Sequence, residues 1–336
     1  MAAAQQQEKR AKEKKKEKEE SVAAADFTQV AAPANLGSRH GRKRIYFTRA
    51  GERSDRAFPS WLSLAFQGDN DYAVSNLNQA VKLLRRPDGG PIAYRDDCPL
   101  TEFGSFSAQL VGRGFRYRKV VFDRVYCSPA LRAIQTANYI LNANVPPGKP
   151  EERPKIRIEP GLFECLYWYK GKLPQFVDAS HLNKCGFNVD VDYKPVFTMH
   201  ELTDICAREL RPRDSYRRLE WVASELGARL VGGDDDSKNV LVVGHAVTQD
   251  AALRRLCQLP SRPLMEAPTP AGKYDTRKLG LHYPYLSVVA AEEVGTDGWR
   301  PMDPDLVPPL SWLDQTTAVD HAFLCQRPAA APTPAV

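Results

Sequence analysis

Four separated segments carry side chains suited to gripping a phosphoryl group and moving a proton. The first is Arg49-Ala50-Gly51-Glu52-Arg53, directly after the apolar run Ile45–Thr48. Glycine lets the backbone turn tightly beneath a bound group, and two arginines on one turn can fork onto phosphoryl oxygens. Taken alone, this segment reads more simply as a strand-to-loop turn with surface arginines. The second runs from Cys127-Ser128-Pro129 through Arg132 to Ala137. Pro129 suits a helix start, which places Arg132 in the first turn, where the positive helix end favours an anion. Its plainer reading is a capped amphipathic helix with an exposed arginine.

The third segment is Glu159-Pro160-Gly161-Leu162-Phe163-Glu164. A carboxyl group among Phe163, Tyr167 and Trp168 is expected to have a raised pKa and to give a proton to a leaving alcohol. The bland alternative for Glu164 is a loop carboxylate in a surface ion pair. The fourth is Val240-Leu241-Val242-Val243-Gly244-His245, an apolar strand that delivers His245 to its carboxyl end just before a helix. A satisfied histidine at a strand end is the competing reading.

These residues need a sheet to bring them together. Short β-branched and aromatic runs at 45–48, 119–126 and 239–243 read as strands. Helical patterns fall near 60–66, 100–113, 129–142, 213–231 and 247–257. Strands separated by helices predict an α/β fold: three layers, α/β/α, around a mainly parallel sheet. Residues 145–200, rich in proline and aromatics, read as an insertion over the carboxyl edge of that sheet, where ligands sit in such folds. The expected organisation is a charged disordered tail (1–43), one domain (44–325) and a Pro/Ala-rich tail (326–336).

Composition narrows the setting. The chain has 336 residues and a formal net charge of +6. Residues 1–44 hold 11 Lys and Arg against 6 Asp and Glu, which leaves 36 basic against 35 acidic residues in the remainder. The basic character belongs to the tail, so the body is not expected to bind nucleic acid. The cluster Arg39–Arg44 reads as a nuclear-import or anionic-surface patch, or more simply as a solvated flank of the first strand. No apolar run approaches the roughly 20 residues that span a bilayer, and no secretory signal pattern opens the chain. Seven cysteines, an odd number without a C-x-x-C pair, point to neither a disulfide framework nor a zinc knuckle. A reducing, cytoplasmic location is expected, with nuclear entry left open.

In combination the four segments resemble the histidine phosphatase superfamily, also called phosphoglycerate-mutase-like. Asp97-Cys98-Pro99-Leu100-Thr101, followed by Gly104, resembles a structural element of that superfamily. Closer is the similarity to the phosphatase domain of the TULA proteins and to ecdysteroid-phosphate phosphatases. It is carried by the Arg-x-Gly-Glu-Arg turn, by Glu159–Glu164, by Phe187–Pro195 and by Leu259-Pro260-Ser261-Arg262. The resemblance implies a first histidine that attacks phosphorus, a clamp of arginines and a second histidine, and a glutamate that protonates the leaving group, without metal or cofactor. Carried over, Arg49, Arg53, Arg132 and His245 match the phosphate clamp and Glu164 the acid. Ala50 occupies the nucleophile position, and a methyl group cannot attack phosphorus. Arg39-His40-Gly41 spells the missing tripeptide, but it precedes the strand instead of following it.

Three readings of the site follow from the resemblance. The chain is a natural pseudophosphatase that binds a phosphorylated ligand, an engineered inactive form of an active phosphomonoesterase, or a slow enzyme using water or His245. The ligand class is a phosphorylated small molecule, such as a steroid phosphate, or a phosphotyrosine protein. A reading of another class is an interaction scaffold that acts through its basic tail, whose partner the sequence does not name.

Overall fold

The computed structural model describes residues 42–67, 71–86, 90–232, 237–262, 278–295, 298–303, 305–312 and 315–325. Residues 1–41, with His40 and the first half of the basic cluster, and the expected tail 326–336 lie outside the described residues.

Six strands form one sheet. β1 (Arg44–Arg49), β2 (Arg124–Cys127), β3 (Ile156–Ile158) and β4 (Asn239–Gly244) run parallel, while β5 (Val288–Glu293) and β6 (Trp299–Pro301) continue it antiparallel. The order across the sheet is β3-β2-β4-β1-β5-β6. The expectation of a mainly parallel sheet thus holds for four strands, and the sheet as a whole is mixed.

Alternating side chains sort into two cores on opposite faces. Tyr46, Val125, Leu241, Val243 and Ala290 pack with α1 (Glu102–Tyr117) and α2 (Leu131–Asn144). Ile45, Phe47, Val240, Val242 and Val289 pack with α3 (Pro212–Gly232) and α4 (Ala246–Leu256). Burial on both faces explains why β4 and the middle of β1, Ile45–Phe47, read as continuous apolar runs instead of alternating with polar residues. The result is the three-layer α/β/α arrangement.

Two local readings need correction. The strand expected over 119–126 is confined to Arg124–Cys127. Lys119 takes a left-handed conformation (φ 58°) and Val120 N–H returns to the Phe115 carbonyl, so the chain closes α1 before it enters the sheet. Val120 and Phe122 are apolar because they pack into the helical layer: the Phe122 ring lies 4.8 Å from Phe115, edge to face. The stretch read as an insertion begins as part of the sheet, since Ile156–Ile158 is its edge strand.

The Asp97–Gly104 element has the structural role its composition suggests. Asp97 Oδ1 accepts from Leu131 N–H at the start of α2, and Thr101 caps α1 by accepting from Gly104 N–H. Thr101 Oγ1 also donates to Glu52 Oε1 at 2.7 Å, which anchors the Arg49–Arg53 turn to α1.

α1 and α2 meet most closely at Gly112, where a Cβ would run into the Ile140 carbonyl and its backbone. Neither backbone can yield without parting the helices. Gly112→Ala is therefore expected to lower unfolding stability by about 1–3 kcal/mol, although alanine alone favours a helix by ~1 kcal/mol. Denaturant unfolding checks this; a raised midpoint would show that the close approach is unimportant.

Candidate functional site

Strand register builds the site. Arg49 and Gly244 are partners at the ends of the adjacent parallel strands β1 and β4. Ala50 and His245 therefore leave the sheet side by side, and Ala50 N–H donates to the Gly244 carbonyl at 3.0 Å. On the other flank of β4, Ser128 N–H reaches the Val243 carbonyl at 2.9 Å, bringing the end of β2 to the same edge. α2 begins at Leu131 with Ala130 as its cap, so Arg132 stands in the first turn as expected. Glu164 arrives from the loop after β3.

Arg49, Ala50, Arg53, Arg132, Glu164 and His245 line one cavity of ≈ 400 Å³. The structure thus brings every sequence-selected site residue to one place. Trp168, Tyr169 and Tyr285 also line it.

Arg132 is the deepest cation, 1% exposed. Its Nη2 donates to Glu164 Oε1 at 2.6 Å, while its Nη1 is buried without a partner. Arg53 forks onto Asp55 at 2.7 and 2.8 Å, and its Nη1 lies 3.7 Å from Glu164 Oε1. Arg49 Nη1 donates to the Tyr283 carbonyl at 2.7 Å, and its guanidinium sits 4.0 Å above the centre of the Tyr285 ring.

His245 is held from both ring nitrogens. Ser128 Oγ lies 2.8 Å from Nε2, and Arg132 Nη2 points at Nδ1 from 3.4 Å. Glu164 Oε2 also lies 3.5 Å from Nδ1, so a proton on that nitrogen has an acceptor, while the Ser128 hydroxyl can donate to or accept from Nε2. Burial pushes the ring's pKa well below the usual histidine value, and Arg132, Arg53 and Arg49 add to this against the opposing pull of Glu164.

The raised pKa expected for Glu164 is corrected by the structure. Burial does push its carboxyl up, but Arg132, His245 and Arg53 together with the Tyr169 hydroxyl outweigh burial and hold it well below the usual carboxylate range. Tyr169 donates to Glu164 Oε1 at 2.6 Å. The apolar neighbours seen in the sequence are real, since Phe163 is fully buried nearby, but the cations lie closer to the carboxylate. Glu164 is thus held as an anion among the cations of the cavity.

Several supporting residues escaped sequence reasoning. Arg218 on α3 donates to the carbonyls of Gly161, Phe163 and Glu164 at 2.7, 2.7 and 2.9 Å, and Glu209 grips Arg218 at 2.8 and 3.0 Å. This pair fixes the loop that presents Glu164. One signal was available: Arg218 interrupts the apolar face formed by Tyr216, Leu219 and Val222. Asp250 accepts from Arg254, Arg262, Tyr216 and Tyr283, and Tyr283 in turn holds Arg49 through its carbonyl. Arg262, which the sequence carried only as part of a resemblance, is therefore a structural strut.

Comparison with known proteins agrees with this geometry. A profile of the histidine phosphatase superfamily (branch 1) matches residues 86–167, a stretch that contains Arg132 and Glu164. The crystal structure of the ecdysone phosphate phosphatase from Bombix mori in complex with tungstate superposes with a TM-score of 0.62 at 32% identity, covering 80% of this chain and 95% of that one. The chain belongs to the histidine phosphatase superfamily. Among curated relatives, the ecdysteroid-phosphate phosphatase of Drosophila melanogaster is 34% identical over 279 residues, 82% of this chain and 34% of that protein. Human ubiquitin-associated and SH3 domain-containing protein B is 33% identical over 285 residues, 83% of this chain and 41% of that protein. The chain thus spans well under half the length of these two relatives.

The charge state of the site sets a pH dependence. A phosphoryl dianion beside Glu164 and His245 favours protonation of both, against the free protein, where the surroundings lower the pKa of each. Binding therefore takes up protons, and affinity falls as pH rises. Between pH 7.5 and 9, where phenyl phosphate is already a dianion, its association constant is expected to drop, and Glu164→Gln is expected to raise it about tenfold at pH 8, equivalent to removing ~1.4 kcal/mol of like-charge competition. Calorimetry in two buffers of different ionisation heat measures the uptake; proton release would contradict the charge assignment.

Proposed function

We propose that the chain binds phosphomonoesters in the Arg49, Arg53, Arg132 and His245 clamp and hydrolyses them poorly, because Ala50 stands at the nucleophile position. The observation that carries this reading is the buried, unpartnered Nη1 of Arg132 in a cavity lined by three further arginines. A buried guanidinium donor without an acceptor is costly unless a ligand oxygen completes it. The tungstate held by the silkworm relative, an oxyanion like phosphate, supports the same use of this pocket.

Binding proceeds by exchange of anions. The phosphoryl group takes Arg132 and Arg53 from Glu164, and its charge allows Glu164 to keep a proton close to the ester oxygen. His245 Nδ1, once protonated, donates to a second phosphoryl oxygen while Ser128 holds Nε2. These groups stabilise charge that grows during transfer, but no side chain at position 50 forms a bond to phosphorus. In an Ala50→His protein the imidazole nitrogen would attack phosphorus as the bond to the leaving oxygen breaks and Glu164 gives its proton to that oxygen. Water would then release phosphate from the phosphohistidine.

The ligand class we favour is a phosphorylated small molecule or a phosphotyrosine protein. The names of the insect relatives point to a steroid phosphate, and the aromatic wall of Trp168, Tyr169 and Tyr285 suits a flat ring system in either case. Ala50→His is expected to raise hydrolysis of an aryl phosphate by on the order of 10³-fold or more, with tungstate affinity little changed. Equal turnover by the two proteins, abolished in each by Arg132→Lys, would sink the assignment of position 50.

A further inference from the structure

We propose that the rim of this cavity holds a second anion subsite at Arg56, so that the preferred ligand is a phosphomonoester bearing a further negative group, carboxylate or phosphate. The inference deepens the phosphomonoester reading and rests on it.

Four arginines line the cavity, and three of them are already engaged. Arg132 is paired with Glu164, Arg53 with Asp55, and Arg49 with the Gly280 and Tyr283 carbonyls and the Tyr285 ring. Arg56 differs: it lines the same cavity from the short helix Ser54–Ala57, and its side chain makes no hydrogen bond or ion pair among the described residues. It shares the cavity wall with Arg49, Arg53 and Tyr285. Glu164 lies deep, with Arg132 and His245, and leaves Arg56 uncompensated.

The clamp alone can satisfy the phosphoryl group. Its oxygens have Arg132 Nη1 and, once Glu164 yields, Arg132 Nη2, Arg53 Nη1 and His245. Arg56 is therefore surplus to phosphate binding and faces whatever extends from the ester oxygen. Trp168 adds a second unspent donor to the cavity wall, an indole N–H buried without a partner. A purely apolar leaving group would leave the Trp168 N–H unanswered and Arg56 with water alone, whereas a second anion gives Arg56 a charged partner. Because Arg56 is exposed, the gain is modest, as for other solvated ion pairs, and falls with salt.

The test compares phenyl phosphate with its 3- and 4-carboxyphenyl analogues and with phenylene bisphosphates, bound to this chain and to Arg56→Ala at low salt. At least one doubly anionic ligand is expected to bind three- to tenfold more tightly than phenyl phosphate, with that advantage lost in Arg56→Ala and restored by Arg56→Lys. Phenyl phosphate itself is expected to bind both proteins alike. The carboxylate and bisphosphate arms show which second anion is preferred. Normal phenyl phosphate binding without any gain from a second anion, or a gain that survives Arg56→Ala, overturns the subsite alone. Failure of phenyl phosphate to bind overturns the phosphomonoester reading beneath it.

Discussion

The buried pair of Arg132 and Glu164 is the interaction on which the site turns. A guanidinium 1% exposed, placed by the first turn of α2, requires negative charge close by, and in the free protein Glu164 supplies it at 2.6 Å. That carboxylate is held in place by Arg218, which donates to three carbonyls of its loop and is itself gripped by Glu209. The arrangement is poised: Nη1 of Arg132 remains unpartnered, so an oxyanion offers what Glu164 leaves incomplete. On the proposed function, binding is an exchange of one anion for another, with the displaced carboxylate becoming the group that carries a proton.

Sheet register supplies the rest of the geometry. Because β1, β4 and β2 are parallel neighbours in step, the residues just past their ends, Ala50, His245 and Ser128, share one edge. A one-residue slip would turn the apolar side chains of β1 and β4 out of the two cores, so the hydrophobic layers fix the site as firmly as any polar contact. The same register puts the methyl group of Ala50 beside His245, where a longer side chain would point into the cavity. The cations that line the pocket are in place without that side chain.

Sequence reasoning reached the strands and helices whose apolar runs are long, and the six site residues that stand in recognisable turns. It failed where burial had another cause. The run 119–126 is apolar because Val120 and Phe122 serve the helical layer, and only its last part enters the sheet. The short edge strand Ile156–Ile158 carries too few residues to show a period. The ionisation of Glu164 was not legible because the aromatic neighbours in sequence show only the burial that raises it, the largest single influence, whereas Arg132, His245 and Arg53, which jointly outweigh burial, come from distant segments. Ser128, Arg218, Glu209 and Asp250 act through contacts across long sequence separations, which no local pattern records.

The most direct measurement of the central claim is a crystal structure of this chain with tungstate. The oxyanion is expected against Arg132 Nη1 and His245, with the Glu164 carboxylate turned off Arg132 and the space at Ala50 open beside it. Tungstate bound elsewhere, with Glu164 still on Arg132, would contradict the exchange of anions and with it the phosphate clamp.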